Sequence, residues 1–351
     1  MSKGSDFIKF RIRLKKNLFV LKKILITFNQ ASRFILWFKF LQILLIPVDY
    51  ILFLGERLFY KLKHNPSIPI IFVVGLQRTG STFVSQFIEQ TFPFHPIGNL
   101  NTIFKRSSFI LHKFFGRFYK KKPYNHNYQN FYGISPGMFT VGDSYELWDQ
   151  WFGNNHYLIP EHISESQSNQ LTNYFSSLYS ACNKPLLTKN NRNALLISYF
   201  NNHFLNSFFI IVKRDPVAVI RSTIKASEDF FGKTSNLLWG LYPDNYFETN
   251  YFENIIEAAT AQYLALDKLL NEQIKKLNSD SYIIIDYQEF CNNPSKIQFE
   301  IINRLKPKMK IDENEITIID EPFEISNRLN NNDLDKKIVE YLKKLQQKTN
   351  E

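Results

Sequence analysis

The feature that most constrains this chain is an apolar run that leads into a loop bounded by glycines. Residues 70–74 read IIFVV, a β-branched and aromatic run typical of a strand buried on both faces of a sheet. The loop that follows, residues 75–82, reads GLQRTGST and opens an apolar-periodic helix expected at about 81–91. In such a loop, backbone N–H groups and the helix dipole attract a phosphate group. The pattern therefore predicts an anion-binding loop at the edge of an α/β sheet.

Strands and helices are expected to alternate along the rest of the chain. Apolar runs predict strands at residues 186–189, 207–213 and 282–285. Periodic apolar positions predict helices at about 193–203, 215–226, 252–277, from 288 onward, and 334–347. This alternation predicts a P-loop, three-layer α/β fold in which helices flank a central parallel sheet. Residues 92–150 break the pattern and are expected to form an irregular insertion of surface helices and loops.

The chain is expected to have two parts, a basic helical extension at residues 1–65 and an α/β domain at residues 66–351. Pro47 should divide the extension into two helices, because proline disrupts a helix interior. Residues 34–54 are long enough to cross a bilayer, but they carry charged residues, and a charge at the centre of a spanning helix costs about 2.5–3.5 kcal/mol. We therefore expect a helical hairpin that either packs on the domain or makes peripheral membrane contact.

Composition narrows the partners of this chain. The formal net charge of +11 at pH 7 favours anionic partners. No RNP-like motif, zinc-finger spacing or basic heptad region accompanies that charge, so we expect no nucleic-acid partner. The two cysteines, Cys182 and Cys291, resemble neither a disulfide framework nor a metal-ligand set, and we expect no metal. With no cleavable leader pattern at the N-terminus, these features favour a cytoplasmic, membrane-associated protein.

The glycine loop departs from that of nucleoside triphosphatases at an informative position. In those proteins a lysine directly follows the second glycine and reaches the β- and γ-phosphates. Here Ser81 follows Gly80, and the cation lies upstream at Arg78. The sequence also offers no clear acidic strand end for Mg²⁺. It therefore favours a phosphate-like ligand without a metal-bound γ-phosphate, and a P-loop kinase or NTPase is the alternative enzyme.

A second motif follows the predicted strand at residues 207–213. Arg214 is expected at the C-terminal end of this strand, where ligands gather in α/β sheets. Asp215 and Pro216 are typical of a helix start, as N-cap and first helical residue. Ser222 should lie two turns into that helix, where its hydroxyl can join Arg214 at a second phosphate. The alternative for Arg214 is an ion pair with a nearby acid.

Together, the two motifs resemble those of the sulfotransferase family. Residues 77–82, QRTGST, resemble its 5′-phosphosulfate loop, although glutamine replaces the usual proline. Arg214 and Ser222 match the arginine and serine of its 3′-phosphate motif, in the Arg-Asp-Pro form seen in bacterial and Golgi members. Residues 189–193, KNNRN, also resemble a segment of bacterial members, and the likeness covers about residues 68–330.

The resemblance implies transfer of a sulfuryl group from 3′-phosphoadenosine-5′-phosphosulfate to an acceptor hydroxyl or amine, without a metal. The acceptor would be a small molecule, a lipid or a carbohydrate. Arg78 would be catalytic, and the donor would be bound by Arg78, Thr79, Gly80, Ser81, Thr82, Arg214 and Ser222. A competing, non-catalytic interpretation is a membrane-surface protein built on the same fold, which the basic and aromatic N-terminus would suit.

Further candidate residues follow from the same resemblance. Lys189 is expected either to approach the donor or to lie in solvent at a strand end. Arg328 is expected to reach the 3′-phosphate, although the family's Arg-Lys-Gly triplet is absent. An acceptor hydroxyl also needs a general base. Glu146 is the first candidate, its alternative role being that of a helix N-terminal acid. His95 and His156 are the other candidate bases.

Overall fold

The computed structural model describes residues 30–60, 64–116, 128, 135–153, 160, 162–232, 237–242, 252–325 and 333–350. The strands are β1 (Ile70–Val74), β2 (His95–Pro96), β3 (Leu186–Lys189), β4 (Ser207–Lys213) and β5 (Tyr282–Asp286). The helices before β3 are α1 (Gln30–Leu44), α2 (Ile46–Phe59), α3 (Ser81–Thr91), α4 (Asn99–Ile103), α5 (Ser108–Phe115), α6 (Tyr145–Phe152) and α7 (Glu165–Cys182). Those after β3 are α8 (Ile197–His203), α9 (Pro216–Phe231), α10 (Ile255–Ile274), α11 (Tyr287–Asn292), α12 (Pro294–Leu305) and α13 (Asp333–Asn350).

The strands form one five-stranded parallel sheet in the order β2-β3-β1-β4-β5. Ile70 at the start of β1 pairs with Leu186 at the start of β3 and with Ser207 at the start of β4. All strands therefore begin at one edge of the sheet and end at the other. The loops that follow β1, β3 and β4 leave from the same edge, which is where open α/β sheets bind ligands.

The side chains of β1 alternate between two apolar clusters, because successive residues of a strand point to opposite faces. Ile70, Phe72 and Val74 pack in one cluster with residues of α6, α7, α8 and α10. Ile71 and Val73 pack in the other, with residues of α3, α11 and α12. The sheet is thus the middle of three layers, which confirms the predicted α/β architecture.

The structure contains two elements that the sequence did not predict. The polar helix α7 covers one face of the sheet through Leu171, Phe175 and Leu178. The strand β2 is only two residues long and joins the edge of the sheet beside β3. Residues 92–104, expected at the surface, are buried because β2 and α4 pack against the domain.

The helices α1 and α2 are joined by a bend of 55°, a shallower turn than that of the expected helical hairpin, and Pro47 lies in the first turn of α2; this bent pair is here called the hairpin. Acidic side chains of α2 attach it to α5. A carboxylate oxygen of Asp49 accepts from the backbone N–H of Ser107, and one of Glu56 accepts from that of Ile110, each at 3.1 Å. Among the described residues, no helix alone has the length and hydropathy to cross a membrane, whereas the two arms of this bent pair do in combination.

Candidate active site

The loop between β1 and α3 is a tight turn with left-handed backbone at two positions. The φ angle is 67° at Arg78 and 94° at Gly80. The hydroxyl of Thr79 donates to the carbonyl oxygen of Leu76 at 2.8 Å and holds the turn closed. A Cβ atom at Gly80 would lie 2.3 Å from the ring of Tyr287, so the close approach of the loop to α11 requires glycine. For arginine, a left-handed conformation is strained by about 1–3 kcal/mol, and such strain is concentrated at functional sites.

The structure brings the two sequence motifs into contact at Arg78. Its Nε donates to the hydroxyl oxygen of Ser222 at 2.8 Å, although the two residues lie 144 positions apart in the chain. An Nη atom of Arg214 donates to the carbonyl oxygen of Arg78 at 3.4 Å. Desolvation by burial lowers the pKa of Arg214 from its usual value, but an arginine keeps its charge at neutral pH. The contacts therefore concentrate positive charge at the C-terminal ends of β1 and β4.

Two aromatic side chains to which the sequence assigned no role face these arginines. The Cζ of Arg78 lies 5.8 Å from the ring centre of Trp239, and the Cζ of Arg214 lies 4.6 Å from that of Tyr287. Ring faces attract guanidinium groups, so both contacts orient the arginines. Tyr287 directly follows β5, and this position at the carboxyl end of a core strand was its sequence signal. No local pattern marks Trp239.

A hydrogen-bond network ties the loop to the segment after β3. Ser81 and Thr82 are the first residues of α3, and the hydroxyl of Ser81 donates to the side-chain oxygen of Asn191 at 3.1 Å. The backbone N–H of Asn191 donates to a carboxylate oxygen of Asp143 at 3.2 Å. The insertion before α6 therefore helps to position the start of α3.

Lys189 lies inside the protein, so the solvent-exposed alternative for this lysine is wrong. Its side chain is 1% exposed, and its Nζ lies 2.7 Å from the carboxylate of Asp143. A buried charge requires such a partner, because desolvation of an unpaired ion costs several kcal/mol. A contact between Lys189 and the donor stays a prediction. Asp143 was missed as a site residue, although it lies just upstream of the candidate base Glu146.

The candidate bases lie in different places. Glu146 is in the first turn of α6, and its carboxylate pairs with the Nζ of Lys39 on α1 at 2.5 Å. His95 pairs in register with Leu186 at the start of β3, so it lies at the edge of the sheet opposite the glycine loop, which argues against it as the base. His156 and Arg328 lie outside the described residues, and their roles stay predictions.

The parallel sheet, the glycine-bounded loop and the converging arginines define an α/β protein with a concentration of positive charge at the carboxyl ends of its central strands. The model of the Sulfotransferase family matches residues 69–306, which is more than half of the chain. The chain therefore belongs to the sulfotransferase family.

Solved sulfotransferases resemble the chain at low sequence identity. Sulfotransferase STF1 from Mycobacterium tuberculosis H37Rv is 12% identical over 71% of this chain and 69% of its own, with a TM-score of 0.44. Sulfotransferase STF9 from Mycobacterium avium is 14% identical over 83% and 70%, with a TM-score of 0.40. The sulfotransferase domain from the curacin biosynthetic pathway is 12% identical over 79% and 98%, with a TM-score of 0.38. No curated protein sequence matches the chain.

Proposed function

We propose that this chain transfers a sulfuryl group from 3′-phosphoadenosine-5′-phosphosulfate to a hydroxyl or amine of a small molecule, lipid or carbohydrate. The observation that carries the proposal is the contact of Arg78 with both Ser222 and Arg214. This contact joins a loop that suits a 5′-phosphosulfate to an arginine–serine pair that suits a 3′-phosphate. A donor with anionic groups on both sides of its ribose matches that arrangement.

The proposed reaction is an in-line displacement at sulfur. An acceptor oxygen or nitrogen forms a bond to sulfur while the bond between sulfur and the bridging oxygen of the donor breaks. Adenosine 3′,5′-bisphosphate leaves with the bonding electrons, and the acceptor proton passes to a base. Negative charge grows on the bridging oxygen, where Arg78 and the backbone N–H groups of residues 79–82 would neutralise it. The charge is greatest near the transition state, so these groups would accelerate the chemical step.

Arg214 and Ser222 would act at a distance from the reacting atoms. Binding of the 3′-phosphate would hold the sulfur in line with the acceptor, so that remote binding energy contributes to the rate. Ser222 can link the two ends of the site. Its oxygen accepts from Arg78, and its own proton remains available for a phosphate oxygen.

Glu146 is the proposed base, and its ion pair with Lys39 bears on that role. The side chains of Lys39 and Glu146 are 47% and 36% exposed. An exposed ion pair contributes only about 0–1 kcal/mol, so an acceptor hydroxyl can displace Lys39 at little cost. Lys39 lies on α1, so the hairpin would influence the proton acceptor.

The proposed reaction is tested by incubating the protein with sulfur-labelled donor and a cell extract and identifying labelled products by mass. We expect one product class that needs folded protein and disappears when adenosine 3′,5′-bisphosphate is added in excess. Labelling that is equal with heat-denatured protein would contradict the proposal.

A P-loop kinase or NTPase is the alternative enzyme, and ligand-induced stabilisation separates the two. A ligand that binds only the folded state raises its melting temperature. We expect a rise with adenosine 3′,5′-bisphosphate and none with ATP and Mg²⁺. The reverse pattern would favour the kinase. Ser81 argues against a kinase, because it occupies the position of the loop lysine.

We further propose that the hairpin α1–α2 attaches the protein peripherally to an anionic membrane surface. Its amphipathicity is inverted, because α2 turns Asp49 and Glu56 inward and leaves apolar side chains in solvent. The large exposed apolar residues of the hairpin are Trp37, Phe40, Ile43, Leu44, Ile46, Val48, Tyr50, Ile51, Leu54, Leu58 and Phe59. Contiguous apolar patches of this kind mark protein or membrane contacts.

The charges of the hairpin favour an anionic bilayer as the binding partner of its exposed apolar residues. Its acidic residues, Asp49 and Glu56, are buried, whereas Arg33, Lys39 and Arg57 are exposed. The exposed formal charges of the hairpin are therefore all positive. Anionic headgroups attract such cations at about 1 kcal/mol each, while the acyl region accepts the apolar side chains.

Co-sedimentation with vesicles of neutral or anionic phospholipid tests this attachment. We expect binding to anionic vesicles and release by high salt. A double variant, Ile51→Asn with Leu58→Asn, should bind more than ~100-fold more weakly, because each side chain loses about 1.5–3 kcal/mol of burial. Leu205→Asn, at an exposed leucine outside the hairpin, is the matched control and should bind like wild type.

Other binding partners of the exposed apolar residues of the hairpin would give different results. A second copy of the chain would appear as a dimer that Leu58→Asn dissociates in the absence of lipid. Extraction only by detergent would indicate insertion of the bent pair. Either result, or equal binding by the double variant and the control, would contradict peripheral attachment.

A further inference from the structure

Three potential metal ligands converge at the edge of the sheet opposite the glycine loop. His95 lies on β2, His112 on α5, and Cys182 is the last residue of α7. Their ligand atoms all lie within 4.8 Å of one another, and the centres of the imidazole rings are 4.9 Å apart. Both histidines are buried, and Cys182 is half-buried. The proposed sulfuryl transfer uses none of these side chains.

His112 is held in the way that metal-ligating histidines usually are. Its Nδ1 lies 2.7 Å from the carbonyl oxygen of Ser108, so Nδ1 carries the proton and donates. Its buried Nε2 has no hydrogen-bond partner among the described residues and presents a lone pair. Burial lowers the pKa of His112 to about 4, which keeps the ring neutral. The hydroxyl of Tyr174 donates to that of Ser108 at 2.6 Å and helps to fix the position of Ser108, whose carbonyl oxygen orients His112.

His95 and Cys182 have surroundings that suit the same ligand. Burial and the neighbouring His112 lower the pKa of His95 well below its usual value, so it is also a neutral ligand. Burial raises the pKa of the Cys182 thiol to about 12, and a bound cation would reverse this by stabilising the thiolate. Lys184 also lowers the pKa of His95, but it pairs with Glu315 at 2.7 Å, which offsets its charge.

We propose that His95, His112 and Cys182 bind a zinc ion. Two imidazoles and one thiolate form a borderline-soft ligand set that favours zinc over calcium or magnesium. Zinc bonds of about 2.0–2.1 Å to nitrogen and about 2.3 Å to sulfur place tetrahedral ligand atoms roughly 3.3–3.6 Å apart. The three ligand atoms, now within 4.8 Å of one another, would therefore move closer by up to about 1.5 Å. A water molecule reaching the half-buried Cys182 would complete the coordination.

The proposed ion would connect three elements that pack at the edge of the domain. It would join β2, a two-residue strand that pairs with β3, to α5 and to the C-terminal end of α7. Its site is separated from the glycine loop by the length of the strands. We therefore expect zinc to change the stability of the protein rather than the chemical step, so this proposal can fail independently of the proposed function.

Elemental analysis of the full-length protein tests the site directly. After removal of metal with a chelator and reloading with zinc, we expect one zinc per chain and a higher melting temperature. Cobalt in place of zinc should give a thiolate-to-cobalt charge-transfer band. The variants Cys182→Ser and His112→Gln should weaken zinc binding by at least ~100-fold and abolish the band. Cys291→Ser and His64→Gln, which alter a thiol and an imidazole outside the cluster, should bind like wild type.

A measurement on the wild-type protein covers the case in which the variants fail to fold. Zinc should slow alkylation of Cys182, followed by peptide mass, and leave that of Cys291 unchanged. Substoichiometric zinc, binding that survives both cluster variants, or equal alkylation with and without zinc would overturn the proposal.

Discussion

The region beside the glycine loop and the N-terminal hairpin both bury ionisable side chains, but they do so in opposite ways. Beside the loop, Lys189 and Asp143 lie 2.7 Å apart and neutralise each other inside the domain. In the hairpin, Glu56 is 5% exposed and accepts from the neutral backbone N–H of Ile110. Burial raises the pKa of Glu56 to about 7. The first region thus compensates one buried charge with another, as Arg106 does for Asp49 in the hairpin, whereas Glu56 attaches α2 as an acid that ionises near neutral pH.

The largest expected effect comes from breaking the buried pair. Lys189→Met leaves Asp143 buried without its lysine, and removal of one partner of a buried pair costs about 3–5 kcal/mol. The free energy of unfolding in urea at neutral pH measures this loss. Lys184→Met is the matched control, because its pair with Glu315 is exposed and is worth at most about 1 kcal/mol. Equal losses in the two variants would contradict the contrast drawn between the two regions.

The next largest effect is expected on removal of Arg78, the cation of the glycine loop. Arg78→Ala removes the group proposed to neutralise the bridging oxygen, and loss of one such donor lowers kcat by about 10²–10³-fold. Steady-state kinetics with the identified acceptor measures the change. Arg304→Ala is the control, because Arg304 is an exposed arginine of α12 that donates to the carbonyl oxygen of Ser279. Full activity of Arg78→Ala would remove Arg78 from the mechanism.

A smaller effect is expected at the other end of the donor. Arg214→Ala should weaken binding of adenosine 3′,5′-bisphosphate by about 10–100-fold, since a hydrogen bond to a charged group contributes about 1.5–3 kcal/mol. Isothermal titration calorimetry measures the dissociation constant. The same variant should bind inorganic sulfate at the loop with little change. A selective loss of sulfate binding would assign Arg214 to the wrong end of the donor.

The sequence predicted the strands around this site because their β-branched runs are continuous and buried on both faces. It also placed Arg78 and Arg214 after core strands, whose carboxyl ends meet at one edge of a parallel sheet, but it did not predict the contact between Arg78 and Ser222. It did not predict the pairing of Lys189 with Asp143, which joins segments 46 residues apart through an irregular insertion. Long-range pairing of this kind leaves no local pattern.

The hairpin shows a different limit of sequence interpretation. The break at Pro47 follows from local backbone chemistry, and the structure confirms it. Periodicity identifies the faces of a helix, but it does not say which face turns inward. Here Asp49 turns inward because it accepts hydrogen bonds from the backbone N–H and hydroxyl of Ser107, and that partner is known only from the fold.

The smallest expected effect depends on pH. It tests whether Glu56 attaches the hairpin as a protonated acid. The folded-state pKa of Glu56 is raised to about 7 from an ordinary value of 4.5, so the native state holds the proton more strongly than the unfolded state. Its contribution to stability is complete below about pH 4.5 and is lost as the pH rises through 7. Wild type should therefore lose roughly 1–2 kcal/mol relative to Glu56→Gln between about pH 5 and about pH 8. Glutamine keeps an acceptor for the N–H of Ile110 but cannot ionise, so that variant isolates the charge.

Urea unfolding across this pH range, with the control Glu289→Gln at an exposed ion pair, measures the difference. If Glu56→Gln and wild type follow the same pH profile, the hairpin is not attached by a protonated acid. If they diverge as expected, ionisation of Glu56 above neutral pH loosens α2 from α5 and frees the same helix that is proposed to meet the membrane. Vesicle binding by the two proteins at about pH 8 then shows whether attachment to the domain and attachment to lipid compete for α2.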